Sequence, residues 1–252
     1  MDFAIKEDNG FKYIDEGKGE VIVLLHGLMG ALSNWQHVVD HFKENYRVII
    51  PMLPIYEMPI LTTGVKSLSK FLKKFVTHFD LKDILIVGNS LGGHVGLMYV
   101  LSNQENVKAL ILAGSSGLYE NAFGGSFPKR GNFQYIKEKT EFTFYDPATA
   151  TPDLVDEVFA TVNNREKAIR ILAMAKSAIR HNMAKDLPKI KTPVCVIWGK
   201  QDQVTPPDVA EQFNKLLPNS KLHWVDECGH APMMEQPIVF NKILEQYLDK
   251  LN

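Results

Sequence analysis

The 252-residue sequence lacks the features that would mark a nucleic-acid-binding, membrane or secreted protein. Its formal net charge is −1, from 28 Lys and Arg against 29 Asp and Glu, so the basic excess of a nucleic-acid-binding protein is missing. No apolar run approaches the roughly 20 residues of a membrane-spanning helix. The N-terminal residues do not combine a basic segment with a long apolar one, so no secretory signal is expected. We therefore predict a cytoplasmic protein that acts on a small-molecule substrate, does not bind nucleic acid and has no membrane-spanning segment.

Cysteine is also scarce, since the chain contains only Cys195 and Cys228. The two are not spaced as metal ligands, and both fall in or next to predicted strands. We interpret them as reduced thiols, as in a cytoplasmic protein. Cys228 stands close before His230, but it has no glycine-framed turn of the kind that exposes a nucleophile. We therefore assign it no catalytic role.

What the chain does contain is the composition of an ordinary globular protein, 45 % hydrophobic and 23 % charged. Length alone leaves open one large α/β domain or two small ones. Asn9 and Gly10 form a turn signal between two short alternating segments, so the sheet is expected to begin antiparallel. Apolar runs then alternate with helical patterns, which predicts a mainly parallel, doubly wound sheet. The predicted strands are 21–25, 47–50, 84–87, 109–113, 194–199 and 221–225, and the predicted core helices are 33–42, 64–79, 93–101, 207–217 and 238–251.

The alternation breaks between residues 114 and 187, where helical patterns at 152–162 and 164–181 replace strand-type runs. We interpret this insertion as a helical cap that covers a ligand site at the edge of the sheet. The chain then divides into a first core part, a cap and a second core part, which are 1–116, 117–187 and 188–252. Some apolar cap residues are candidates for lining a substrate pocket, although packing within the cap is the simpler role for any one of them. They are Phe123, Phe127, Phe142, Phe144, Phe159 and Met174.

Residues 88–92 read Gly-Asn-Ser-Leu-Gly and lie between the apolar run 84–87 and a helical pattern. A serine on such a strand-turn-helix has the setting of a nucleophile. The turn holds Ser90 at backbone angles that few residues tolerate, and small residues at 88 and 92 let the strand and the helix approach each other. Because the motif alone is common, a base and an orienting acid must be found elsewhere.

The carboxyl ends of the parallel strands are where a ligand crevice is expected. Four loops gather there: 26–30, 88–92, 199–204 and 226–232. They offer His230 as the base that activates Ser90 and Asp202 as the carboxylate that orients the base.

Each of these assignments has a competing interpretation. Asp202 is suited to cap the turn before Pro206, and Asp226 is an alternative acid close to His230. His230 also fits an ordinary surface position. The remaining histidines outside the loops fall inside helix or strand patterns, and we expect them at the surface or half-buried. They are His37, His41, His78, His94, His181 and His223.

Two backbone N–H groups are needed to hold the oxyanion of an acyl-transfer reaction. The residue after the nucleophile, Leu91, supplies one, and we assign the other to Leu28 in the loop after the first long strand. His26 either lines the site or braces this loop by hydrogen bonding, and we prefer the bracing role. No metal or organic cofactor is expected, because side chains and water complete the chemistry.

Over essentially its whole length the sequence resembles the α/β-hydrolase superfamily. The matching pieces are His26-Gly27 with Trp35, Gly88 to Gly93, Trp198 to Asp202 with Pro206, and Gly229 to Pro232 with Glu235 and Pro237. The resemblance implies an α/β-hydrolase fold with a capped site and a serine triad in the order Ser, Asp, His. It does not imply a substrate, since similar members include carboxylesterases, lipases, thioesterases, lactonases, carbon–carbon bond hydrolases and haloperoxidases.

Departures from the family pattern narrow this list. Ser90 argues against the epoxide hydrolases and haloalkane dehalogenases, which use an aspartate nucleophile, and Leu28 argues against perhydrolase-type members, which usually have proline there. The hydrolases of ring-fission products carry a cap arginine and a tryptophan after the histidine, where Val158 and Ala231 stand here. Residues 51–56 replace an Asp-x-x-Gly-x-Gly-x-Ser stretch of most relatives, and the sequence does not explain this replacement.

We therefore predict a serine hydrolase that cleaves a small or medium, largely apolar carboxylic ester through an acyl-enzyme. A carbon–carbon bond hydrolase acting on a vinylogous diketone with the same triad is the alternative. A third hypothesis is a non-catalytic receptor for a small molecule on the same fold.

Overall fold

In the computed structural model the described residues are 3–29, 35–119 and 129–251. They form one eight-stranded sheet in the order β1-β2-β4-β3-β5-β6-β7-β8. Its strands are β1 (Lys6–Asp8), β2 (Phe11–Glu16), β3 (Glu20–Leu25), β4 (Tyr46–Pro51), β5 (Ile84–Asn89), β6 (Val107–Ala113), β7 (Val194–Gly199) and β8 (Ser220–Val225). From β4 through β8 in this order neighbouring strands are parallel, which confirms the predicted mainly parallel sheet.

The sheet begins with the predicted antiparallel hairpin, β1 against β2. Asn9 and Gly10 both have positive φ, 49° and 78°, which is the backbone of a tight two-residue hairpin turn. Strand β2 then pairs antiparallel with β4. The antiparallel strands β1 and β2 lie at one edge of the sheet. The parallel strands in its centre position the candidate site.

Helices cover both faces of the sheet. They are α1 (Gln36–Phe42), α2 (Val65–His78), α3 (Leu91–Val100), α4 (Phe133–Glu141), α5 (Pro152–Asn163), α6 (Arg165–Arg180), α7 (Pro207–Leu216), α8 (Pro232–Glu235) and α9 (Pro237–Leu248). In β3, Val23 and Leu25 belong to the apolar core on one face, whereas Ile22 and Leu24 belong to the core on the other. A continuously apolar strand is what a sheet buried on both faces requires.

Between β6 and β7 the chain forms helices α4, α5 and α6. Helices α5 and α6 lie where the periodicity predicts them, whereas α4 was not predicted, because only Ile136 and Thr140 of its nine residues are buried. The two ends of this excursion lie side by side, since Met183 N–H donates to the Gly117 carbonyl at 2.7 Å and the Asn182 side chain donates to the Leu118 carbonyl at 3.0 Å. The division into core and cap remains a prediction.

Among the helices of the described residues, none is both long enough and apolar enough to cross a bilayer.

One histidine departs from the half-exposed setting that we predicted. His94 of α3 is fully buried, and its Nε2–H donates to the His181 carbonyl at 3.0 Å. Its Nδ1 has no hydrogen-bond partner among the described residues. Burial lowers the pKa of His94 to about 4, because a charged imidazolium there would lose its hydration.

The buried His94 makes the fold sensitive to acid. The unfolded chain binds a proton at this imidazole near the ordinary pKa of about 6.5, whereas the folded chain does so only near pH 4. Below pH 6.5 the unfolded state therefore holds more protons, and the free energy of unfolding falls by about 1.4 kcal/mol per pH unit, or about 2 kcal/mol at pH 5. Denaturant titrations of wild type and His94→Gln between pH 7 and 5 measure this loss.

His37→Gln is the matched control for that titration, because His37 is exposed. We expect the control to keep the wild-type pH dependence and His94→Gln to reduce it; part of the remaining slope comes from His26, whose pKa burial also lowers. Equal slopes in all three proteins would refute the assignment to His94.

Candidate active site

Ser90 stands on a sharp turn between the end of β5 and the start of α3. Its backbone has φ 52° and ψ −120°, a conformation that non-glycine residues adopt rarely and that is typical of functional sites. Hydrogen bonds hold the turn on both sides, since Ser90 N–H donates to the Ala113 carbonyl at 3.1 Å and Ser116 N–H donates to the Ser90 carbonyl at 3.1 Å. The neighbouring strand β6 therefore fixes the direction of the serine.

The two glycines that frame the turn are required by space. A Cβ on Gly88 would lie 2.6 Å from backbone atoms of Gly93, and a Cβ on Gly92 would collide with the carbonyl of Leu25 at the end of β3. Even alanine at either position would force the backbone apart. The expected close approach of strand and helix at this turn is thus present.

The structure brings His230 and Asp202 together in the interior. The Nδ1 atom of His230 lies 2.9 Å from Oδ2 of Asp202, and both side chains are buried. The second oxygen of Asp202 accepts the N–H groups of Val204 and Thr205, at 2.8 and 2.9 Å. Asp202 therefore caps the turn before Pro206 and contacts His230 at the same time, so the two interpretations of this residue are compatible.

Thr205 was not predicted as part of this arrangement. Its hydroxyl donates to Oδ2 of Asp202 at 2.8 Å and lies 3.2 Å from Nδ1 of His230. The Trp198 indole N–H in turn donates to the Thr205 carbonyl at 2.8 Å. A threonine near an aspartate is too common in turns for the sequence to reveal this contact.

The alternative acid Asp226 takes no part in the contact with His230 described above. It is exposed, and it accepts hydrogen bonds from Gln201 at 3.1 Å and Lys200 at 3.0 Å. These donors, Gln201 first, lower the pKa of Asp226 to about 2. Asp226 therefore caps its own loop, and Asp202 is the carboxylate in contact with His230.

The loop that carries His230 is held at several points. The His230 N–H donates to the Thr143 carbonyl at 3.0 Å, and the Asn89 side chain donates to the His230 carbonyl at 3.1 Å. Glu235 accepts the N–H groups of Gly229 and of Ala231, at 3.0 and 3.2 Å. Burial raises the pKa of the Glu235 carboxyl. His230 is therefore fixed both to the turn that carries Ser90 and to the segment between β6 and β7.

The two amides assigned to the oxyanion hole are free to bind a ligand. Among the described residues, neither the Leu28 N–H nor the Leu91 N–H donates a hydrogen bond. Leu91 is the first residue of α3, where the N–H groups and the positive end of the helix dipole favour negative charge. Leu28 and Leu91 line one cavity together with Ser90 and His230.

His26 has the bracing position that we preferred. Its Nδ1–H donates to the Gly27 carbonyl at 2.9 Å, while its Nε2 accepts the Leu53 N–H at 3.2 Å. Burial lowers the pKa of His26, which keeps the imidazole neutral, as this pair of hydrogen bonds requires. The predicted loop comprises residues 26–30. The structure describes residues 26–29 of it, and Gly30 lies outside the described residues.

The cavity beside Ser90 has a volume of about 150 Å³. Its wall is largely apolar and includes Phe144, Leu154, Val158, Met174, Val204 and Met234. Of the cap residues predicted as candidates, Phe144 and Met174 line it. Phe142 is instead exposed, and Phe159 packs edge-on against Phe133. Phe123 and Phe127 lie outside the described residues.

No formal charge lines this cavity within the described part of the chain. Its described lining contains no Lys, Arg, Asp or Glu. The undescribed segments 30–34 and 120–128 contain no Lys or Arg. Val158 and Ala231, the positions at which the resemblance led us to look for arginine and tryptophan, both line the cavity with small apolar side chains.

Neither of the two cysteines has the environment of a reactive thiol. Both are free and buried, and burial raises the thiol pKa of Cys195 to about 12 and raises that of Cys228 as well. Neither thiol is therefore poised as a thiolate. In the described part of the chain, no group of three His, Cys, Asp or Glu side chains is arranged to hold a metal ion.

Comparisons with known proteins agree with one another on the family. The family described as alpha/beta hydrolase fold matches residues 20–237. The 2-hydroxy-6-oxononadienedioate/2-hydroxy-6-oxononatrienedioate hydrolase of Paraburkholderia phymatum is 30 % identical over 260 residues, which covers 94 % of this chain and 90 % of that protein.

Two solved structures extend the comparison. MGS-MChE2, an alpha/beta hydrolase enzyme from the metagenome of lagoon sediments at Mar Chica, Morocco, is 45 % identical over 98 % of both chains, with a TM-score of 0.82. The meta-cleavage product hydrolase CumD of Pseudomonas fluorescens IP01 is 21 % identical over 96 % of both chains, with a TM-score of 0.84. At that identity the second likeness concerns the fold alone.

Proposed function

Since the chain belongs to the alpha/beta hydrolase fold family, we propose that it is a serine hydrolase that cleaves a neutral, largely apolar carboxylic ester. The observation that carries the ester proposal is the uncharged, apolar wall of the cavity beside Ser90. An acyl group enters such a cavity without leaving a charge unpaired, and its burial there is favourable.

In the proposed reaction Ser90 is the nucleophile. His230 donates Nδ1–H to Asp202, so its Nε2 is the atom that accepts the Ser90 proton as Oγ attacks the ester carbonyl. Asp202 holds the imidazole in this tautomer and stabilises the imidazolium. The amides of Leu28 and Leu91 bind the tetrahedral oxyanion.

Collapse of this intermediate breaks the bond to the alcohol, which takes the proton from His230 and leaves. The acyl group is then bound to Ser90 Oγ. Water attacks the acyl-enzyme in the same way, with His230 as the base, and releases the acid and the free serine. This scheme uses only side chains, the two backbone amides and water. The absence of a cofactor and a cytoplasmic location remain predictions.

A carbon–carbon bond hydrolase acting on a vinylogous diketone is the second candidate. The name of the Paraburkholderia relative supports it, and among the comparisons it has better support than the ester does. The same His230 and Asp202 would serve it, with water or a bound hydroxide attacking the ketone. The "dioate" of that name denotes a substrate with two carboxylates, which the uncharged lining of this cavity does not match.

Substrate charge separates the two proposals. We expect kcat/KM for an aryl butanoate to exceed that for the matching aryl hemisuccinate at least about a hundredfold, because a carboxylate in this cavity would be desolvated without a cation. The two esters have the same chain length and differ in the terminal group, so steady-state kinetics on the pair isolate the charge.

The same panel includes a vinylogous diketone. Turnover of the diketone with negligible ester turnover would overturn the ester proposal in favour of carbon–carbon cleavage. Tight binding of a panel compound without any turnover would favour the third hypothesis from the sequence, a non-catalytic receptor for a small molecule.

A further inference from the structure

We propose that Tyr56 is a positioning residue for the oxyanion hole. Its hydroxyl fixes the peptide that follows Leu28, so that the Leu28 N–H faces the carbonyl oxygen of the substrate. This inference rests on the proposed function for the identity of the hole. It also accounts for the segment 51–56, whose departure from the family pattern the sequence left unexplained.

The segment 51–56 touches the oxyanion loop at two points. The Leu53 N–H donates to Nε2 of His26 at 3.2 Å, and the Tyr56 hydroxyl donates to the Leu28 carbonyl at 3.1 Å. Ser90 also lies next to this loop, since a Cβ on Gly27 would lie 3.3 Å from the Ser90 Cβ. The segment 51–56 therefore braces a loop that is itself in contact with Ser90.

These contacts determine the direction of one amide. A peptide group is planar and trans, so its carbonyl and N–H point in opposite directions. His26 holds the Gly27 carbonyl, which belongs to the same peptide as the Leu28 N–H. Tyr56 holds the Leu28 carbonyl, which belongs to the next peptide. With both peptides held, the backbone angles at Leu28 are fixed, and the amide cannot rotate away from the cavity.

The surroundings of Tyr56 keep its hydroxyl a donor. Burial raises the pKa of Tyr56 to about 12, so the phenol stays protonated at neutral pH. The Lys167 ammonium of α6 lies 5.1 Å from the ring centroid, and the Arg170 guanidinium of the same helix donates to the Met58 carbonyl at 2.8 Å. Helix α6 therefore contacts both the Tyr56 ring and the nearby Met58 backbone.

Tyr56→Phe removes the hydroxyl and keeps the ring. We expect kcat for a neutral ester to fall about tenfold while KM stays within about twofold, because the hole acts on the transition state and not on the bound ester. Tyr46→Phe is the matched control, since Tyr46 of β4 is also half-buried and its hydroxyl makes no hydrogen bond to a described residue. Both constants of the control should stay within about twofold of wild type.

A second measurement needs no substrate. Backbone ¹⁵N relaxation measures how freely an amide moves, and we expect the order parameters of the Leu28 and Met29 amides to fall from about 0.85, the value of a rigid backbone, to below about 0.6 in Tyr56→Phe and to stay unchanged in Tyr46→Phe. Unchanged order parameters, or an undiminished kcat in Tyr56→Phe, would overturn the inference. If wild type turns over no ester, the proposed function fails by itself, and the order parameters still decide whether Tyr56 holds the Leu28 peptide.

Discussion

Ser90→Ala is expected to lower kcat/KM for every active ester by at least about a thousandfold. The variant removes the proposed nucleophile and leaves in place the cavity, His230 and the Leu28 and Leu91 amides. What remains is the binding of substrate and the polarisation of its carbonyl, which support only slow attack by water. Initial rates at low substrate concentration, measured on wild type and variant in parallel, give the ratio directly.

Ser116→Ala is the matched control for this loss, because Ser116 also lines the cavity and is buried. It should keep kcat/KM within about threefold of wild type. An equal unfolding midpoint for the three proteins excludes misfolding as the cause. The nucleophile assignment is wrong if Ser90→Ala retains activity within about tenfold of wild type.

Asp202→Asn should cost nearly as much as loss of the serine, about a thousandfold to ten-thousandfold in kcat. The carboxylate accepts a hydrogen bond from the Nδ1–H of His230, at 2.9 Å. An amide at this position can donate to Nδ1 instead, which transfers the imidazole proton to Nε2. The histidine then presents a proton, not a lone pair, to Ser90 and cannot act as a base.

Asp226→Asn provides the comparison, since Asp226 is the other carboxylate close to the histidine loop and is exposed. Its kcat should remain within about twofold of wild type. If Asp226→Asn were the damaging substitution and Asp202→Asn the mild one, the acid would have to be reassigned. Unfolding midpoints should be compared as well, because Asp202 also accepts two backbone N–H groups of its turn.

Much of the fold could be predicted from local sequence patterns. The apolar run before Ser90 and the glycines at 88 and 92 predict a strand-turn-helix without information from the rest of the chain, because the close approach of the two backbones leaves no space for larger side chains there. The loops that bear Asp202 and His230 follow predicted strands, so the parallel sheet brings them to one edge.

Features that depend on tertiary packing could not be predicted in the same way. Helix α4 has two buried residues in nine, too few for a periodic pattern. Phe142 is exposed and Phe144 is buried, although the sequence makes them equivalent candidates. The roles of Thr205 and Tyr56 rest on hydroxyl contacts with residues that only the folded chain brings near.

The substrate class could not be predicted from the fold or from the triad, because one fold supports many different reactions. The relative from Paraburkholderia is named for a dioate substrate, whereas the described lining of the cavity in this chain contains no cation. Because the two chains are only 30 % identical, they can differ at the few cavity positions that determine the charge of the substrate. Val158 and Ala231 are two positions of that kind.

The most direct test of Ser90 as an activated nucleophile is the intact mass of the protein after exposure to a fluorophosphonate. The reagent phosphonylates a serine only where a base and an oxyanion hole activate it. We predict a single adduct on wild type and none on Ser90→Ala. A folded wild type that stays unmodified, or an adduct that persists in Ser90→Ala, would contradict the account.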